Sequence, residues 1–194
     1  MVLVNIHPEH SRHTTHNLPD LVSKKERMTL TLGLDLAGSE KRDTGLCLLH
    51  NKKIILVGVV HSNSEILTFV NTYKPDIIAI DAPLTLPKGR ASIEIKNNKH
   101  FRICDLKLKK LGIKFFPITL GPMRKLTSRG MKLKKILSKK YKVIEVYPGA
   151  AYDIYNVKRK DYAAIRKLLK NLKLSSLPKR KLSCLLYTSP SPRD

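Results

Sequence analysis

Thr29-Leu30-Thr31-Leu32-Gly33-Leu34-Asp35-Leu36 is the stretch on which the fold turns. It is apolar enough for a β-strand, and Ala37-Gly38 ends it with a turn signal. Residues 44–49 and 53–60 read as two further strands, parted only by the polar turn His50-Asn51-Lys52, which marks a hairpin. Residues 64–73 begin with Ser and place Ile66, Leu67, Phe69 and Val70 on one helical face, and Pro75 stops that helix. Residues 76–80, Asp-Ile-Ile-Ala-Ile, form a near-continuous apolar run of the kind buried on both faces in parallel pairing. Strands joined by short turns pair antiparallel, whereas a helical crossover returns the chain parallel to an earlier strand. The expected result is an α/β fold with a mixed sheet, the fourth strand able to lie beside the first.

Beyond Asp81-Ala82-Pro83-Leu84 the pattern predicts a basic helical insertion. Residues 91–111 read as broadly helical, with a Lys-rich face from Lys107 to Lys110, and residues 115–118 as a short extended piece. Residues 123–140 read as a basic amphipathic helix that Gly130 can interrupt. Residues 142–147 form a further strand, capped by Pro148-Gly149, and residues 161–172 a last helix with Ile165, Leu168, Leu169 and Leu172 inward.

The ends differ in style from this middle. Residues 1–27 show no hydrophobic period and carry His7, His10, His13 and His16 at three-residue spacing. That tract reads as a disordered leader, or as a misassigned start before Met28, in preference to a weak metal-binding run, because His ligands need a fixed scaffold. Residues 184–194, Cys-Leu-Leu-Tyr-Thr-Ser-Pro-Ser-Pro-Arg-Asp, break from the Lys/Leu/Ile character of the preceding chain and read as a non-native, adaptor-derived tail. One domain is therefore expected over residues 28–183, incomplete at its C-terminus. A chain of 194 residues has room for one such core and hardly for two.

Composition narrows the classes. No apolar run approaches the roughly 20 residues of a membrane helix, and no secretory signal pattern opens the chain, so a cytoplasmic protein is expected. Cys47, Cys104 and Cys184 are widely spaced, which matches neither a disulfide framework nor a zinc site; buried thiols are the plainer reading. Net charge is +23, and residues 99–181 hold 25 Lys and Arg against four acids, Asp105, Glu145, Asp153 and Asp161. A field of that sign attracts polyanions. Lys enrichment also follows from base composition or growth temperature, and few aromatics are interleaved, so charge alone does not decide for nucleic acid.

Chemistry concentrates in the acids. Asp35 ends the first strand and Asp81 the fourth; if those strands are parallel neighbours, both carboxylates emerge at one edge, where open sheets bind ligands. Two like charges at close range repel, and a divalent cation is the usual remedy. Oxygen donors favour Mg²⁺ or Mn²⁺ over zinc. Two such ions about 3.5–4 Å apart activate water and stabilise the leaving oxygen of a phosphodiester. Glu145, alone between apolar neighbours in its strand, is the third candidate, because burying it costs free energy unless it is bound. Each acid also has a structural reading: Asp35 capping the Gly38 turn, Asp81 holding the turn before Ala82-Pro83. The loop from Ala37 to Arg42 offers amides to a phosphate only weakly, since no P-loop pattern is present.

Taken together, Gly33-Leu34-Asp35-Leu36-Ala37-Gly38-Ser39 and Ile80-Asp81-Ala82-Pro83-Leu84 with Pro87, Gly89 and Arg90 resemble the domain of unknown function 429 family, described as predicted nucleases of the RNase H fold. Phe101-Arg102-Ile103-Cys104-Asp105, Gly112-Ile113, Gly121-Pro122-Met123 with Leu126-Thr127, and Val143-Ile144-Glu145-Val146-Tyr147-Pro148-Gly149-Ala150 extend the likeness over about residues 28–183. The resemblance implies an RNase H-like mixed sheet with Asp35, Asp81 and Glu145 as catalytic and metal-binding acids. Arg90 and Arg102 match motif positions and suit a phosphate, as does Lys125 in the basic insertion. Alternatively, an Arg102–Asp105 ion pair with helical burial of Cys104 explains that motif structurally. The family pattern also includes a later helix with another Asp, and no such helix follows Lys179-Arg180-Lys181-Leu182-Ser183. Fold does not fix function. The leading expectation is a metal-dependent nuclease acting on DNA or RNA; a non-catalytic nucleic-acid-binding module using the 99–181 surface is second. A phosphotransferase of the same superfamily ranks last, for want of a second lobe.

Overall fold

The computed structural model describes residues 29–178. The histidine-bearing leader, Met28, Cys184 and the atypical tail lie outside the described residues. The elements run β1 (Leu30–Asp35), β2 (Thr44–His50), β3 (Lys53–Val60), α1 (Asn63–Tyr73), β4 (Ile77–Ile80), α2 (Ile103–Lys110), α3 (Gly121–Leu137), β5 (Lys142–Glu145), α4 (Pro148–Ile154) and α5 (Tyr162–Asn171). They form an α/β fold around one five-stranded mixed sheet in the order β3-β2-β1-β4-β5. β1, β2 and β3 pair antiparallel, and β4 and β5 continue the sheet parallel to β1, as the crossover argument expects.

Local chemistry explains the register. The β2–β3 turn is made by Asn51 at φ 52, a left-handed conformation that Asn tolerates. Its side chain accepts from the Thr29 amide and its amide donates to the Thr29 carbonyl, both at 2.9 Å, which ties the hairpin to the start of β1. Ser62 caps α1 in a reciprocal box with Glu65. Lys74, in the left-handed region, closes the helix, and Asp76 then exchanges two 2.8 Å bonds with the backbone of Leu30. That exchange sets β4 level with β1.

The core lies on one face of the sheet. Leu32, Leu34, Leu46, Leu48, Ile78 and Ile80 pack with Ile66, Phe69 and Val70 of α1 and Leu126, Leu133 and Leu137 of α3. Period-2 alternation sends Thr31, Gly33 and Asp35 of β1, and Ile77 and Ala79 of β4, to the opposite face. All five are only half-buried, so the expectation that β4 is buried on both faces fails. Small Gly33 and Ala79, partners in the parallel register, leave room over the sheet there.

The insertion departs further from expectation. Only residues 103–110 are helical in the stretch 91–111, because the preceding loop is wrapped around the guanidinium of Arg90. Gly130 does not interrupt α3: a Cβ there would lie 3.0 Å from the side chains of Ala82 and Leu84, so the missing side chain lets the helix press against the segment following Asp81. In α5, Ile165 is fully buried, whereas Leu168 and Leu169 are half-buried and Leu172 is 38% exposed. Among the described residues no helix is long and apolar enough to cross a membrane.

Candidate active site

Over the Gly33–Ala79 floor lies a cavity of about 370 Å³ whose lining includes Asp35, Asp81, Arg102, Asp105 and Glu145. Asp35 is the last residue of β1. The amide of Asp81 donates to the Leu34 carbonyl at 2.8 Å, carrying the parallel ladder one step past β4. Glu145 ends β5 opposite Ile80, and Val146 then donates to the Ile80 carbonyl at 3.0 Å. Three strands thus deliver three carboxylates to one end of the sheet; the strand-end reading expects this of Asp35 and Asp81, whereas Glu145 is expected within a strand of residues 142–147 and instead ends β5.

They are not equivalent. Glu145 Oε2 accepts from the Leu84 amide at 2.8 Å and from Arg102 Nη1 at 2.7 Å. Arg102 also donates to Asp105: Nε to Oδ2 at 3.0 Å and Nη2 to Oδ1 at 2.7 Å. Burial opposes the charge on Arg102, but its hydrogen bonds to the Asp105 and Glu145 carboxylates outweigh that and its pKa is raised. The expected Arg102–Asp105 pair is present, with both side chains under a tenth exposed. Cys104 is exposed rather than buried, because α2 turns Arg102 and Asp105 inward to meet β5. Cys47 is half-buried, and burial pushes its thiol up to about 11.

Asp81 carries the electrostatic stress of the site. Burial, then the charges of Asp35 and Glu145, push its carboxyl from 3.8 up to about 7, with Arg159 pulling the other way. Tyr152 on α4 feels the same field: its hydroxyl is raised by burial, then by Asp81 and Asp35. Tyr147 donates to the Lys114 carbonyl, and Arg159 lies 5.7 Å over its ring while donating to Asp153 at 2.7 Å.

The other sequence candidates fall elsewhere. Arg90 is buried away from this cavity and donates to Asn97, Lys99, Ile93 and Ile95, so its guanidinium organises a loop. Lys125 is exposed on α3 and does not line the cavity. The loop after β1 is held by Arg129, whose guanidinium donates to the carbonyls of Ala37 at 2.8 Å, Ser39 at 3.0 Å and His61, and to Asn63 Oδ1 at 2.9 Å. Sequence reading passed over Arg129, one of many cations on a basic helix; its place between inward Leu126 and Leu133 is the available signal. Tyr147, Tyr152 and Arg159 were also passed over as site residues. Pro148 at the first turn of α4 is the sign of a helix that would carry Tyr152 to the site.

Among the described residues no cluster of three or more His, Cys, Asp and Glu is arranged to hold a metal ion. Glu145 is engaged by Arg102, and Asp35 and Asp81 also line the cavity. Those two fit a hard divalent cation by their chemistry, being carboxylates in mutual repulsion at a buried edge. A comparison of the chain with protein-family models, with curated proteins and with solved structures finds no match.

Proposed function

We propose that this chain is a divalent-metal-dependent nuclease with an RNase H-like sheet, hydrolysing phosphodiester bonds of DNA or RNA, and that it belongs to the domain of unknown function 429 family. The observation that carries the reading is the meeting of Asp35 and Asp81 at adjacent carboxyl ends of β1 and β4, close enough for each charge to act on the other. Asp35 and Asp81 would hold Mg²⁺ or Mn²⁺, which when bound supplies a polarised water and neutralises phosphate charge. The chain itself contributes the rest. Arg102 and Leu84 fix Glu145 at the cavity wall, the Asp76–Leu30 exchange fixes the far ends of β1 and β4, and Leu36, Pro83 and Val146 add apolar surface to the lining.

Purified chain incubated with labelled DNA and RNA should cleave in Mg²⁺ or Mn²⁺ and not in EDTA, and Asp35→Asn or Asp81→Asn should abolish the cleavage. Cleavage undiminished in those variants would sink the proposal. A non-catalytic nucleic-acid-binding module is the second reading, favoured by the exposed Lys107, Lys109 and Lys110 on α2, Lys132 and Lys135 on α3, and Lys139 just after α3. It would appear as binding that falls with salt and ignores both EDTA and the Asp variants.

A further inference from the structure

The mouth of the carboxylate cavity is aromatic. Phe115 and Phe116 line it, and Phe116 is nevertheless 47% exposed. Phe101, 37% exposed, meets Phe115 edge to face with centroids 6.1 Å apart. Lys109 Nζ lies 5.6 Å over the Phe101 ring, and exposed Lys110 and Lys114 flank the same segment. Half-exposed phenyl faces cost free energy in water unless something covers them.

The cavity floor offers little to an anion. The Nε, Nη1 and Nη2 groups of Arg102 all donate to Asp105 and Glu145, and the floor acids repel phosphate. Arg159 lines the cavity but donates to Asp153, exposed Lys109, Lys110 and Lys114 lie near the phenyl rings in the chain, and much of the remaining lining is apolar. A duplex presents phosphates outward and keeps its bases stacked within, so it would meet the lysines and leave the rings bare. An unstacked strand can use both, placing bases on aromatic faces while its backbone follows the positive charge.

Building on the nuclease reading, we infer that this site takes single-stranded nucleic acid, with a base stacked on Phe116 and the backbone drawn along Lys109, Lys110 and Lys114. The aromatic mouth thereby selects unpaired strands over duplex and presents one nucleotide at a time to Asp35 and Asp81.

The test is fluorescence anisotropy with a labelled oligothymidylate, an abasic strand of equal length and a duplex of the same length. EDTA is present throughout, so cleavage does not enter. The intact chain should bind oligothymidylate more tightly than the abasic strand. Phe116→Ala should weaken oligothymidylate binding by between about fivefold and about a hundredfold, leaving the abasic strand and the duplex unchanged. Phe116→Trp should restore the affinity, which a folding defect would not permit. Equal affinity for base-bearing and abasic strands, equal loss on duplex, or no binding of oligothymidylate would overturn the inference. A stacking signature without cleavage in Mg²⁺ or Mn²⁺ would remove the nuclease reading alone; cleavage with Phe116→Ala binding as well as the parent would remove this one alone.

Discussion

Asp35 and Asp81 stand abreast because the Asp81 amide donates at 2.8 Å to the carbonyl of Leu34, the residue before Asp35. At the opposite ends of the same strands, Asp76 exchanges two 2.8 Å bonds with Leu30. The pairing is therefore clamped at both ends, and a slip of one residue would send one carboxylate to the other face of the sheet.

That juxtaposition makes stability depend on pH. Asp81 has a folded-state value of about 7 against 3.8 when unperturbed, so between those limits the folded chain binds the additional proton. Stability contributed by the neutral carboxyl is present at low pH and is lost as pH rises through about 7. Asp81→Asn should remove this loss and stabilise the protein above pH 7 by on the order of a few kcal/mol. Urea melts at pH 5 and pH 8 check it; an unchanged pH dependence in the variant refutes it. Mg²⁺ or Mn²⁺ should raise the melting temperature of the parent at pH 8 and leave Asp81→Asn unmoved.

Removing Arg102 should cost far more than removing a surface cation. Arg102→Met leaves Asp105 buried and Glu145 without its 2.7 Å partner, and breaking such a pair from one side costs about 3–5 kcal/mol. Arg102→Lys should recover little, since an ammonium carries its donors on one nitrogen and lacks the planar fork that reaches both carboxylates from Nε, Nη1 and Nη2. Chemical denaturation of the two variants gives the comparison.

Gly130→Ala sets two effects against each other. Helix propensity favours Ala by about 1 kcal/mol, while overpacking against Ala82 and Leu84 at 3.0 Å costs about 1–3 kcal/mol. Net destabilisation is expected, with increased amide exchange around Asp81 because α3 is lifted from that segment. A higher melting temperature would show that Ala82 and Leu84 yield easily.

Arg129→Met should release the loop after β1. Its guanidinium is buried on the carbonyls of Ala37, Ser39 and His61, and each acceptor left unmet costs about 1–3 kcal/mol. Hydrogen exchange should rise in residues 37–44, where the Ala37 amide also relies on Thr44 Oγ1 at 3.2 Å.

Nucleic-acid binding, if carried by the lysine surface, should weaken linearly on a log–log plot against salt. Lys135→Gln and Lys139→Gln should each reduce that slope by about 1 if they meet phosphate, and leave it unchanged if they are only solvated. Titration with labelled strands at several salt concentrations distinguishes the two.

The strands, the hairpin and the crossover were legible because they rest on local features: the apolar run of β1, the polar turn around Asn51 and Pro75 after α1; the helix start, expected at Ser64, is set instead by the Ser62–Glu65 box. The insertion was not. Residues 91–102 have helical composition, but buried Arg90 takes the Ile93, Ile95 and Lys99 carbonyls as partners, a tertiary arrangement that periodicity does not register. The short α4 was hidden behind Pro148-Gly149, read as the cap of a strand.

Among the site residues, the amino-acid order alone determined that Asp35 and Asp81 would end strands running in the same direction, since strand direction follows from connection length; that the two strands are neighbours was decided by the fold. That Arg102 would engage Glu145 was decided only in three dimensions. Arg102 lies beside Asp105 in the chain, yet its third donor reaches Glu145 on another element. Such contacts depend on the distance between side chains far apart in sequence, and no local pattern encodes that distance.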